Sequence, residues 1–201
     1  ANAQTITGTA AQATAALVTS GTKVVLGAGS TVTVSDATAL ATAATLAGVT
    51  NATVGFTNGV TGAVSDLVDS GSAHANLSAV AGDDADVTIS VTDSTGTVTA
   101  ANLSAIGGST TGTVTVANAQ TVTGTAAEAT AALVTSGTKV VLGEASTVTV
   151  SDATAVADAA ALAGVTNATV GFTSGITGAV ADLASSGSAT SNISAVVSDD
   201  A

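Results

Sequence analysis

The hydrophobic pattern switches period repeatedly along the chain. Four stretches alternate strictly: Thr31-Val32-Thr33-Val34-Ser35-Asp36, Asp86-Val87-Thr88-Ile89-Ser90-Val91, Thr113-Val114-Thr115-Val116 and Thr147-Val148-Thr149-Val150. Period two in β-branched residues predicts half-buried strands, with Val or Ile on one face and Thr or Ser on the other. Lys23–Leu26 and Ala52–Thr57 read as further strands, the latter seating Phe56, and Phe172 in its second occurrence, in the core. Between these stretches lie Ala-rich segments with helix punctuation. Thr9-x-x-Gln12 and Thr125-x-x-Glu128 have the spacing of capping boxes, and Gly21 and Gly137 stand where helix-terminating glycines belong. Helices are expected to follow these caps, and also over 36–47, 61–70, 99–106, 152–163 and 177–186, with apolar stripes on Leu17, Leu40, Leu67 and Leu103.

Helices this short are marginal alone in water, and a four-residue strand needs a neighbour. Strand, helix, strand in succession calls for parallel pairing with a crossover. The expected fold class is therefore α/β, a repeat solenoid of short parallel strands and Ala-rich helices. The alternative is an all-β solenoid in which the Ala-rich segments are loops; Ala, Leu, Gln and Glu between cap signals favour helix.

An internal repeat supports stacking. Residues 1–85 and 117–201 align without a gap at an offset of 116, with 68 of 85 positions identical. A fixed period of self-similarity is the mark of a solenoid or array. The domain reading is 1–116 as a first period and 117–201 as a second, incomplete one in a single continuous array. Ala201 corresponds to Ala85, after which the first copy runs into Asp86–Val91; Ala1 corresponds to Ala117, which follows Thr113–Val116. The expectation is a segment of a longer array or a chain that stacks end to end, its partners being copies of itself or adjacent repeats.

Composition narrows the chemistry. The 201 residues include no Cys, Met, Trp, Tyr or Pro and only two Phe; 14 acids against two lysines give a net charge of −12. That charge repels a phosphate backbone, so no nucleic-acid partner is expected. No apolar run is long enough to span a bilayer. Without Cys there are no disulfides or thiol catalysis. His74 is the single histidine and has Thr190 as its counterpart, and no nucleotide-binding or metalloprotease motif occurs. No enzyme activity, catalytic residue or organic cofactor is expected, and His74 reads as an exposed polar residue.

Three features remain as candidates. Asp83, Asp84 and Asp86 fall in a predicted turn and recur in part as Asp199 and Asp200, and hard carboxylate oxygens on a turn suit Ca²⁺. Asp36 and Asp152, just before expected helices, read as capping residues. TxT triplets, among them Thr5/Thr7, Thr31/Thr33, Thr97/Thr99, Thr113/Thr115, Thr121/Thr123 and Thr147/Thr149, could stack into a hydroxyl and methyl lattice able to bind ice or a crystal surface. Asn51, Asn76, Asn102, Asn167 and Asn192 head glycosylation sequons.

The run TGTVTVANAQTVTGTAAEATAALVTSG, followed by STVTVSDATAVADAAALAG, resembles repeats of large, acidic, adhesin-like cell-surface proteins of Gram-negative bacteria, including marine cyanobacteria. The resemblance implies an extracellular, surface-displayed protein with a structural or adhesive role. The reading is a structural repeat protein that forms a fibre, stalk or surface layer by end-to-end stacking. Its alternatives are a stalk or ligand-binding segment of a large adhesin that engages a glycan or other surface ligand, and ice or crystal-surface binding.

Overall fold

The computed structural model describes residues 2–138 and 140–199, so Lys139 and Asp200 among the residues named above lie outside it. The chain is mixed α/β with mostly parallel strands. It divides into two compact units, Ala1–Thr92 with Ser109–Val114, and Asp93–Gly108 with Thr115–Ala201.

The first unit runs β1 (Thr5–Gly8), α1 (Ala10–Leu17), β2 (Ser30–Val34), β3 (Thr38–Ala39), α2 (Leu40–Ala47), β4 (Ala52–Phe56), β5 (Val60–Gly62), α3 (Val64–Leu67), β6 (Val68–Asp69), β7 (Ser72–Ala73), α4 (Ala75–Asp83) and β8 (Ile89–Val91). Strands β1, β2 and β4 form a parallel sheet in the registers Ile6↔Val32 and Val32↔Val54, and β3, β5 and β8 form a second parallel run. Helices α1, α2 and α4 pack side by side. The alternating strands place Val32, Val34 and Val54 inside against Leu17, Leu46 and Leu77, all buried. Phe56 is buried as well.

The second unit repeats this order and adds layers ahead of it. It contains β9 (Gly96–Thr99), α5 (Ala100–Gly107), β10 (Val114–Val116, whose first residue belongs to the first unit), β11 (Gln120–Gly124), α6 (Ala126–Leu133), β12 (Val140–Val141), β13 (Ser146–Val150), β14 (Thr154–Ala155), α7 (Val156–Ala163), β15 (Ala168–Phe172), β16 (Ile176–Thr177), α8 (Val180–Leu183), β17 (Ala184–Ser185), β18 (Ser188–Ala189) and α9 (Ser191–Asp199). Strands β9, β11, β13 and β15 form a four-stranded parallel sheet with Val98, Val122, Val148 and Val170 in one buried row. Helices α5, α6, α7 and α9 pack in sequence, centred on Leu103, Leu133 and Leu162.

Several boundaries differ from the sequence expectation, each for a local reason. Both capping boxes form, Thr9 with Gln12 and Thr125 with Glu128. The helices they start nevertheless end at Leu17 and Leu133, before Gly21 and Gly137, where the hydroxyls of Thr22 and Thr138 donate to the carbonyls of Ala15 and Ala131. The helix expected over 61–70 is only the single turn α3. Ser70 and Gly71, both at positive φ, then fold the chain into the antiparallel hairpin β6–β7. Helix 36–47 starts only at Leu40, because Thr38–Ala39 first pair with β5. Lys23–Leu26 forms no strand, although its counterpart Val140–Val141 does. Helices α4 and α9 were not expected at all: Ala75–Asp83 carries Leu77 and Val80 at helical spacing but lies in a run whose carboxylates signal a turn.

Candidate functional site

Of the aspartates singled out from the sequence, Asp84 and Asp86 do stand in a turn, which the Val87 N–H closes by donating to the Asp84 carbonyl at 3.2 Å, whereas Asp83 ends the helix before it. Asp83 is the last residue of α4 and Asp84 its C-cap, so the helix aims both carboxylates at the outer edge of the first unit's sheet. Asp83 Oδ2 accepts the Val54 N–H at 3.1 Å, and Asp84 Oδ2 accepts the Phe56 N–H at 2.6 Å. Val54 and Phe56 are one strand period apart, so their amides point the same way, off the far side of β4. The second unit repeats the device: Asp199 Oδ2 accepts the Val170 N–H of β15 at 2.6 Å. Asp200, the counterpart of Asp84, lies outside the described residues.

An end strand displays unpaired amides that template pairing with another chain, and charge placed there discourages it. The paired aspartates do both jobs, occupying the donors and surrounding the edge with negative charge. Asp86, just beyond the helix, stands beside Asp84. Burial pushes the Asp84 carboxyl above the usual carboxylate range, the Phe56 amide works against this, and Asp86 and Asp83 push it up further. A cavity of about 310 Å³ opens beside the pair, lined by Thr33, Phe56, Asp84, Asp86, Val87 and Thr88. Among the described residues, no three His, Cys, Asp or Glu side chains converge as a metal-ligating group.

Asp36 and Asp152 do cap helices, but not the ones that follow them. Asp36 Oδ1 accepts the Ala10 N–H at 2.6 Å and Asp152 Oδ1 the Ala126 N–H at 2.7 Å, in each case reaching the start of the helix 26 residues earlier. The following helices α2 and α7 have Ala39 and Ala155 at their N-caps and so no side-chain cap. His74 is half-buried rather than exposed. It caps α4, with Nδ1 accepting the Asn76 N–H at 3.1 Å, and lines a cavity of about 460 Å³ with Asp66 and Thr61. The equivalent cavity in the second copy, about 400 Å³, has Thr190 and Asp182 in those places. Asn51 and Asn167, two of the sequon residues, adopt positive φ and donate their side-chain amides to the carbonyls of Leu26 and Leu142.

The threonines form columns. In the second unit Thr97, Thr121, Thr147 and Thr169 stand in register, and beside them Thr99, Thr123 and Thr149, with Gly171 ending the row. In the first unit the columns are Thr5, Thr31, Thr53 and Thr7, Thr33, Gly55. All these threonines are exposed or half-buried, and adjacent hydroxyls meet, Thr147 to Thr121 at 3.2 Å and Thr31 to Thr5 at 3.3 Å.

No protein-family model, curated protein or solved structure matches the chain. Among the described residues no helix is long and apolar enough to cross a membrane.

Proposed function

We propose that this chain is a structural repeat protein, a solenoid of strand and helix layers that builds an extracellular fibre, stalk or surface layer by stacking repeats. The observation that carries the reading is the in-register parallel pairing of successive strands in two copies that share 68 of 85 residues. Each layer of such a stack buries its neighbour's apolar row, so length grows by duplicating the unit. The Asp83–Asp84 and Asp199 carboxylates occupy amides of β4 and β15, so the two edges of each sheet differ. The acidic surface keeps stacks apart laterally.

Negative-stain electron microscopy of the purified chain tests this reading. Uniform filaments or end-to-end oligomers are expected, and monodisperse single particles at all concentrations would rule out self-assembly. Repeating the images with a chelator tests Ca²⁺ dependence: loss of filaments on chelation would assign the aspartates a metal-bridging role.

The threonine columns favour a second reading, binding to an ordered surface such as ice. A flat parallel sheet sets hydroxyls and methyls about 4.8 Å apart across strands and about 6.6 Å apart along them. Ice recrystallisation assays with Thr121→Lys and Thr147→Lys test it, and equal activity with and without these substitutions would discard it.

A further inference from the structure

The two copies share their sequence but not their coverage. In the second copy β9 pairs with β11, α5 packs on α6 and contacts β12, and β10 lies beside β12. Strand β9 and helix α5, with Thr115–Val116 of β10, thus cover the leading face of that copy. The side-chain amides of Asn118 and Gln120 hold the chain ahead of β9, donating to the Asp93 carbonyl at 2.8 Å and the Ser94 carbonyl at 2.9 Å. Gly107 sits so close to the Thr138 carbonyl that a Cβ would overlap it. In the first copy the equivalent face is open. Val24 and Val25 are 54% and 74% exposed, against 1% and 37% for Val140 and Val141. Gln120 is buried, whereas Gln4 is exposed and turns to the Asn2 carbonyl at 3.3 Å. Strand β1 is an end strand of its sheet among the described residues, and unlike β4 it has no aspartate on its outer amides.

We propose that the face formed by Gln4, Ile6, Ala16, Val24 and Val25 is a docking site, and that its occupant is a strand–helix–strand segment of the sequence pattern of residues 93–116. The second copy supplies the template: Gln120 and Val122 pair with Gly96 and Val98, and α6, which carries Ala132, and β12, which carries Val140 and Val141, pack against elements of that segment; four of these five residues are identical in the first copy. The occupant's strand adds parallel to β1, its helix lies on α1, and its final strand pairs with Val24–Val25. Pairing would turn Val24–Val25 into a strand, as the identical Val140–Val141 of the second copy already are. The segment carries one charge, Asp93, so the docked surfaces do not repel. Within this chain residues 93–116 are already engaged by β11 and α6, so the occupant is a further example of the segment. The proposal rests on the stacking reading in that it takes the occupant to come from another repeat.

A labelled peptide of residues 93–116, titrated into the full chain, tests this. Saturable binding at one peptide per chain is expected, with slowed amide exchange at Thr5–Gly8 and Val24–Val25. Val24→Lys in the chain and Leu103→Asp in the peptide should each weaken binding at least tenfold. Val24 is already exposed, so its substitution does not threaten the fold. Because a free peptide loses entropy on ordering, the same sequence is also placed directly ahead of residue 1, where its effective concentration is about millimolar; protection of Val24 and Val25 in that form supports the site. Absence of protection in both formats, protection confined to Ile176–Leu183, or binding indifferent to Val24→Lys would overturn it. A chain that stays monomeric by microscopy yet takes up the peptide refutes the fibre and keeps the site. Filaments without peptide protection do the reverse.

Discussion

The Asp84 carboxylate accepts the backbone N–H of Phe56 at 2.6 Å across 28 residues of sequence, so a helix end rather than another strand finishes the sheet. Asp84→Ala leaves that amide without its partner at a buried residue. A loss of about 1 kcal/mol is expected in urea unfolding. The double substitution Asp83→Ala/Asp84→Ala also bares Val54 and removes the local charge, and faster aggregation by light scattering is expected than for either single change. Unchanged solubility of the double variant would show that the carboxylates do not guard the edge.

The same carboxyl makes stability depend on pH. Its folded pKa is raised by burial and by Asp86 and Asp83, so between the ordinary carboxylate value and the raised one the folded state binds more protons than the unfolded state. Stability contributed by this group therefore falls as pH rises through that window and is recovered on acidification. Asp84→Asn keeps an oxygen to accept the Phe56 amide and removes the titration. The variant is expected to unfold at a higher urea concentration than the parent at pH 7, with the difference narrowing as pH drops toward 4. A difference that widens on acidification would refute the assignment.

Asp36 and Asp152 tie each helix start to a strand that comes later in the chain. Asp36→Ala and Asp152→Ala should each cost about 1 kcal/mol, the usual worth of a helix cap. Amide exchange at Ala10 in the first variant and at Ala126 in the second should speed up, while the starts of α2 and α7 are untouched. Exchange faster at Leu40 or Val156 instead would restore the sequence reading, in which each aspartate caps its own following helix.

What the sequence made legible follows from how local each signal is. The TxT alternation, both capping boxes and the Leu17, Leu40, Leu67 and Leu103 stripes depend on neighbours within a few residues, and strands or helices stand at each. The Ser70–Gly71 hairpin also has a local cause, yet the Val-Ser-Asp-Leu-Val-Asp run ahead of it reads as helix until both turn residues adopt positive φ. The capping partner of Asp36 was hidden because it lies 26 residues back, and sequence proximity points to the wrong helix. The role of Asp83 and Asp84 was hidden for the same reason. Adjacent carboxylates look like a turn or a calcium loop when read alone, and only the path of α4 back to β4 reveals their partners as backbone amides. The parallel offset of 22 to 26 residues that aligns the threonine columns is likewise invisible in any single strand.

Core packing in the second unit gives a sharper magnitude. Leu103 is fully buried on α5, which packs on α6. Leu103→Ala should cost about 2–5 kcal/mol, the range for deleting a buried leucine side chain. The loss should appear as faster exchange across Ala100–Gly107 and Ala126–Leu133. A loss below 1 kcal/mol would mean that α5 is not held on α6 by this side chain.

Two serines offer the same bond in two settings. Ser30 Oγ accepts the Gln4 N–H at 3.0 Å and donates to the Gly27 carbonyl at 2.6 Å; Ser146 Oγ accepts the Gln120 N–H at 3.1 Å and donates to the Gly143 carbonyl at 2.7 Å. Both hydroxyls are buried, but Gln4 is exposed whereas Gln120 is 2% exposed. Water can replace the lost serine at Gln4 and cannot easily reach Gln120. Ser146→Ala is therefore expected to cost about 1–3 kcal/mol, the penalty of stranding a buried donor, and Ser30→Ala less than half as much. Urea unfolding of the two variants side by side checks this. Equal losses would mean that the Gly27 and Gly143 carbonyls, equally placed in both copies, dominate the energy and that coverage of the leading face contributes nothing to it.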